Sequence, residues 1–193
     1  DAARQAIADH LVLVNGAIAT SQGHLVATSD EIRLTVAQRY VSRGGQKFEA
    51  ALTHFGIGIS GKRVLDAGAS TGGFTDCALQ HGAREVVALD VGRGLLHDRI
   101  ARDPRVIVMD ETNVRDIDQL VSAGDPKLGA PFDVVVADLS FISLRDVLGS
   151  LVGVLRNDGD LVLLIKPQFE ATRGEADKGS GVITDQMIHD RVC

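Results

Sequence analysis

The 193-residue chain has room for one full domain and a small accessory one; its 45% hydrophobic content implies a real core, built from Leu, Val, Ile and Ala because Trp is absent. The net charge of −6 falls entirely on residues 61–193, while residues 1–60 balance to zero, so a nucleic-acid contact belongs in the first third or on a local patch. No apolar run approaches the roughly 18 residues that span a membrane, residues 1–20 do not read as a secretory signal, and two distant cysteines, Cys77 and Cys193, form neither a disulfide framework nor a zinc pattern and suit a reducing cytoplasm.

Residues 2–10 (AARQAIADH) predict a short helix. LVLVNGAIA (11–19) reads as strand, Asn-Gly turn, strand, and EIRLTVA (31–37) as a further strand. YVSRGGQKFEAAL (40–52) opens a helix after Ser42. From residue 63 the rhythm becomes strand–helix alternation. Strands are expected at 63–68, 85–91, 105–110, 132–140 and 159–167, and helices at 71–82, 94–103, 116–124 and 143–157. A last helical pattern, TDQMIHDRV, follows a polar, Gly-rich stretch. Near-continuous apolar strands between amphipathic helices mean a parallel sheet covered on both faces, an α/β doubly wound fold. Such a sheet would normally carry further strands after Pro167, so C-terminal strands are expected to be missing here. The expected divisions are a small α+β segment over 1–38, a linker and first helix over 39–60, and the main domain over 61–193.

The turn LDAGASTGGF (65–74) joins the first parallel strand to its helix, where doubly wound folds bind nucleotide-like cofactors. Gly68 is followed by Ala69, Ser70 and Thr71 before Gly72 and Gly73, which does not fit the dinucleotide spacing. Phe74 stands where a phosphate-binding loop needs lysine, so a triphosphate would be poorly held. S-adenosylmethionine, which has no phosphate to clamp, is the remaining reading. It needs small residues for close backbone approach and an acid near its amino end, which Asp66 offers. Asp90, with Val91 beside it, ends the second strand where a carboxylate can accept from ribose hydroxyls. Asp110, with Glu111 and Asn113, could hold the adenine region. The bland alternative is that these strand-end acids merely cap the helices that follow.

Asp138 ends the fourth strand and Lys166 the fifth, so adjacent strands would bring them together. A structural ion pair is one reading, since a buried lysine needs a partner. General-base chemistry is the other, because an alcohol must lose its proton to attack a sulfonium methyl. Desolvation and a second cation both favour the neutral amine. Lys47 and Arg43 supply cations on the preceding helix; they read as solvated charges, and Arg43 could equally contact phosphate.

VSRGGQKFEAAL, LDAGASTGGFTD, ALDVG, ADLSFISL and IKPQFE, in this order, resemble the TlyA family of bacterial proteins, also called hemolysin A, and more distantly the FtsJ-type ribose methyltransferases. The resemblance runs from about residue 40 to 185, and residues 1–37 look like the later part of an S4-type RNA-binding domain with VNG at its turn. It implies a Rossmann-like class I methyltransferase that uses S-adenosylmethionine to methylate the 2′-oxygen of cytidine in ribosomal RNA, with the ribosomal subunits as partners and neither metal nor membrane involved. Carried over, Lys47 matches the family's first lysine, Asp138 its aspartate and Lys166 its second lysine, the proposed base. The family's glutamate lies on a later strand, and Glu170 in the KPQFE motif is not at the matching place. Arg4, Asn15, Arg43 and Lys47 are the expected RNA contacts. The family's other name keeps a membrane-lytic reading open, although no spanning or strongly amphipathic helix is visible. A non-catalytic RNA-binding factor is a third reading, against which the Lys47, Asp138 and Lys166 set speaks.

Overall fold

The computed structural model describes residues 2–8, 10–35, 39–178 and 182–192, which separate into two units, residues 1–39 and 40–193. In the first unit, helix α1 (Ala2–Ala8) precedes strands β1 (Val12–Val14), β2 (Ala17–Ile18) and β3 (Ile32–Leu34). Asn15 and Gly16 have φ of 50° and 84°, the left-handed pair that a tight hairpin demands, and they set Val14 opposite Ala17. β1 is central, with β2 and β3 antiparallel on either side. The ends of two expected elements, Asp9 and Val36–Ala37, lie outside the described residues, as does Cys193.

The second unit begins with helix α2 (Gly44–Phe55). Strands β4 (Arg63–Ala67), β5 (Glu85–Leu89), β6 (Val106–Met109), β7 (Phe132–Ala137) and β8 (Leu155–Leu163) form one sheet in the order β6-β5-β4-β7-β8, every pair parallel. Between them run α3 (Gly73–Gln80), α4 (Asp98–Ala101), α5 (Ile117–Ser122) and α6 (Leu148–Gly153), and after β8 come α7 (Pro167–Glu170), α8 (Arg173–Lys178) and α9 (Gln186–Val192).

Every residue of β4 and β7 is buried, because both faces of the sheet are covered. Val64, Val86, Val134 and Val136 point into a core with Phe48 and Leu52 of α2 and with Phe74, Cys77 and Ala78 of α3. Their alternate neighbours, Leu65, Val87, Val135 and Ala137, share the opposite core with Ile117 of α5 and Leu151 of α6. Each such fully buried Val or Leu contributes roughly 1.5–3 kcal/mol. The Phe48 and Phe74 rings stack at 5.2 Å and tie α2 to α3.

The long helix expected at 143–157 is absent. A single 3-10 turn (Leu144–Asp146), capped by Ser143, leads into the six-residue α6, and β8 begins only two residues after it. Gly153 is a weak helix former, and Leu155 pairs with Phe132 of β7 instead. Between that pair and Val134↔Asp160 the register slips. The displaced stretch carries Arg156 to the Asp133 carboxylate, which it meets in a close ion pair. The helix expected at 94–103 is likewise reduced to Asp98–Ala101, with His97 as its cap and Gly94 at φ 63° in the preceding loop. β8 ends at Leu163, earlier than expected, and Pro167 opens α7, where its missing N–H costs nothing.

Candidate functional site at the carboxyl edge of the sheet

The chain leaves β4 and β7 in opposite directions, so the crevice above their carboxyl ends is the switch point of the sheet. The turn after β4 is shaped to leave that crevice open. Gly68 has φ of 84°, and a Cβ there would lie 3.0 Å from the Asp138 carbonyl oxygen. Gly73 lets the starts of α2 and α3 close on each other, since its Cβ would overlap Ser42 Oγ and approach Gly45 N to 2.9 Å. Ser70, at φ 49°, is held there by Asp90, whose Oδ2 accepts from its N–H at 2.8 Å while Oδ1 accepts from Gly92 N–H at 2.8 Å.

Below this turn sits Asp66, 1% exposed. Its Oδ2 accepts from Thr75 Oγ1 at 2.6 Å, and its Oδ1 has no partner among the described residues. Burial pushes its carboxyl up from 3.8 to about 7; the Thr75 hydrogen bond opposes that rise, and the charges of Asp138 and Asp90 add to it.

Across the crevice, Lys166 Nζ stands 2.6 Å from Asp138 Oδ1 and donates to Ser140 Oγ at 2.9 Å. Lys47 Nζ reaches the other carboxylate oxygen, Oδ2, at 3.5 Å. The three charges come from α2, the residue following β7 and the residue preceding α7. Two lysine side chains thus converge on one carboxylate, and this wall of the crevice carries one more cation than anions. Lys166 is the more enclosed amine, its side chain 21% exposed against 52% for Lys47.

A cavity of about 720 Å3 collects these groups. Of the residues expected to hold a cofactor, Asp66, Gly68, Ala69, Ser70, Thr71, Gly73, Phe74 and Asp138 line it, together with Arg43, Lys47 and Lys166. An adjoining hollow of about 380 Å3 shares Gly68, Ser70, Asp138 and Ser140 and adds Asp90, Val91 and Asn113. Gly72, Asp110 and Glu111 line neither. Gly72 faces Leu96 and Ile100, the Asp110 carboxylate accepts from Gly94 N–H at 2.8 Å, and Glu111 turns the chain at φ 52°. Asn15 and Arg4 belong to the first unit. There the Asn15 amide is engaged by its own fold, donating to Asp30 and accepting from Glu31 N–H, while Arg4 is exposed on α1.

Sequence reasoning missed several residues. Ser140 accepts from Lys166, Thr75 holds Asp66, and Ser42 and Gln46 line the larger cavity. Leu95, Leu139 and Ile142 give the smaller hollow its apolar wall. Phe141 lies at its rim with 91% of its surface exposed and φ of 64°, a conformation that costs an aromatic residue energy. The SFISL run two residues after Asp138 was the available signal for Ser140 and Phe141.

The crevice suits a cofactor with a cationic amino end and a nucleoside end. Asp66 offers an unmatched acceptor to the first. Asp90 lies next to an apolar wall that fits the second, each of its oxygens accepting one backbone N–H and keeping a further lone pair. Fold and site thus define a methyltransferase of the doubly wound α/β class. The FtsJ-like methyltransferase family matches residues 40–193, and the chain belongs to it. It is 41% identical over 181 residues to hemolysin A of Brachyspira hyodysenteriae, covering 94% of this chain and 73% of that protein. It is 47% identical over 169 residues to the 16S/23S rRNA (cytidine-2′-O)-methyltransferase TlyA of Mycobacterium tuberculosis, covering 86% of this chain and 60% of that one. A solved structure described as a hemolysin of Streptococcus thermophilus superposes with a TM-score of 0.73 at 36% identity, over 99% of this chain and 68% of that one. One described likewise, from Lactococcus lactis, gives 0.73 at 44% identity, over 80% of this chain and 71% of that one. Among the described residues no helix is long and apolar enough to cross a membrane, and no cluster of acids, histidines or cysteines could hold a metal ion.

Proposed function

We propose that the protein methylates the ribose 2′-hydroxyl of a cytidine in ribosomal RNA, using S-adenosylmethionine. The observation that carries this reading is Asp138 bridging Lys47 and Lys166 at the wall of a cofactor-sized cavity. The rRNA methyltransferase among the relatives supports the substrate class.

When bound, the cofactor supplies an electrophilic methyl group on a sulfonium. Asp66 and the 68–73 turn would hold its amino-acid end, and Asp90 its ribose. Lys166 Nζ, enclosed and held by Asp138 and Ser140, takes the proton from the 2′-hydroxyl and makes that oxygen nucleophilic. Asp138 keeps both amines at fixed positions, and the more exposed Lys47 orients the hydroxyl or its flanking phosphate. Because sulfonium methyls are already activated, positioning supplies much of the acceleration. Arg43, four residues before Lys47, lines the same cavity and suits the RNA backbone. Phe141 presents an open ring on which a base pulled from its stack can rest. The first unit, with its Asn-Gly hairpin and exposed Arg4, is read as part of an S4-like RNA-binding module. Its contacts at Asn15 would use the turn rather than the side chain, whose amide is engaged. A ribosomal RNA substrate would put the protein in the cytoplasm.

The test is methyl transfer from labelled S-adenosylmethionine to ribosomal subunits, followed by alkaline hydrolysis. A 2′-O-methyl blocks cleavage of its own linkage, so the label is expected in an alkali-stable dinucleotide beginning with cytidine. Label released as a mononucleotide would mean base methylation and would overturn the reading.

A further inference from the structure

α7 is a single helical turn of four residues, too short to hold its own position. Three contacts fasten it, and its leading residue, to the segment that follows β7. Lys166 reaches Asp138 and Ser140, the Phe169 ring lies 5.3 Å from that of Phe141, and Glu170 grips the far end. There Glu170 Oε2 accepts from Ser143 Oγ at 2.6 Å and Oε1 accepts from Leu144 N–H at 2.7 Å. Ser143 Oγ in turn accepts from Arg145 N–H at 3.2 Å, so one carboxylate organises the start of the 3-10 turn. Both of its oxygens are occupied within the fold, and it does not line the 720 Å3 cavity. It therefore does not substitute for a catalytic acid.

We infer that Glu170 is a positioning residue that locks residues 138–144 and 166–170 into one body, holding the Lys166 amine against Asp138 and Ser140. The inference rests on the reading of Lys166 as the base. Without the Glu170 grip, the Phe141–Phe169 contact and the lysine pair remain, but the two segments can slide and the amine loses its fixed height over the cavity. Charge-assisted hydrogen bonds of this kind carry enough energy that losing both slows a position-dependent step by about 10- to 100-fold.

The experiment compares Glu170→Ala, Glu170→Gln, Ser143→Ala and Lys166→Ala in single-turnover methyl transfer, with S-adenosylmethionine affinity and thermal unfolding measured alongside. Glu170→Ala is expected to lower the rate by about 10-fold or more while cofactor affinity changes less than about twofold. Glu170→Gln, which keeps one acceptor, should recover part of that loss. In the Lys166→Ala background, Glu170→Ala should cost nothing further, because the glutamate acts only through the lysine. If Lys166→Ala abolishes transfer and Glu170→Ala and Glu170→Gln leave the rate unchanged, the positioning role is refuted and the base assignment stands. Further loss from Glu170→Ala in the lysine-free background also refutes it. A Lys166→Ala protein as fast as wild type refutes the base assignment instead. Should Glu170→Ala fail to fold, Glu170→Gln and Ser143→Ala, each losing one of the two bonds, are read in its place, and unchanged rates in both refute the role.

Discussion

Replacing Asp66 with Asn tests the floor of the cofactor site through its effect on stability. The carboxyl titrates near 3.8 in the unfolded chain and at about 7 in the fold, so the native state binds more protons across that window. Stability therefore falls as pH rises from about 4 to about 7 and is level beyond it, where the buried carboxylate is ionised. A three-unit rise at 1.36 kcal/mol per unit makes the loss at most about 4 kcal/mol. For a chain of this size that corresponds to about 8–16 °C in melting temperature. Asn keeps the shape and an acceptor for Thr75 but cannot ionise. Asp66→Asn is thus expected to melt close to wild type at pH 4.5 and well above it at pH 8.5, in differential scanning calorimetry at fixed ionic strength. S-adenosylmethionine should narrow the gap at pH 8.5, because its ammonium compensates the wild-type carboxylate and finds no charge in the variant. Parallel pH curves for the two proteins would refute the argument that Asp66 is buried without an ionic partner.

Gly68→Ala should lower cofactor affinity about tenfold or more by titration calorimetry, since a side chain at φ 84° is strained and its Cβ would press on the Asp138 carbonyl. Phe141→Ala should weaken RNA affinity by about 1–3 kcal/mol, the worth of one stacked base, and leave cofactor affinity unchanged; equal losses in both would place the ring in the cofactor site instead.

The parallel sheet was legible because its strands are apolar on both faces, and runs such as VVAL and FDVVVA admit no other burial. The meeting of Lys166 and Asp138 was legible because a lysine behind LVLLI has no apolar reason to be there and needs a counter-charge, and the structure brings the two together. The split of 143–157 into a turn, a short helix and a strand was not. SLRDVLGSLVGVLRN has helical spacing throughout, and its end is decided by Leu155 pairing with Phe132 and by Asp133 drawing Arg156 sideways. Those partners are distant in sequence. Asp110 and Glu111 show the same limit at the site. A strand-end acid is visible in sequence, but whether it faces the crevice or a backbone N–H such as that of Gly94 depends on a loop conformation that periodicity does not encode. Ser140 was overlooked, and Glu170 was weighed only as a stand-in for the family's glutamate, for a related reason: a serine or glutamate beside a motif acquires meaning only from the atom it touches.

The central claim is that Lys166 takes the 2′-hydroxyl proton, and single-turnover methyl transfer to ribosomal subunits by wild type and Lys166→Ala tests it most directly. With cofactor and RNA affinities measured on the same preparations, the account predicts a loss of about 10²- to 10⁴-fold in rate and little change in either affinity. Equal rates for the two proteins would contradict it.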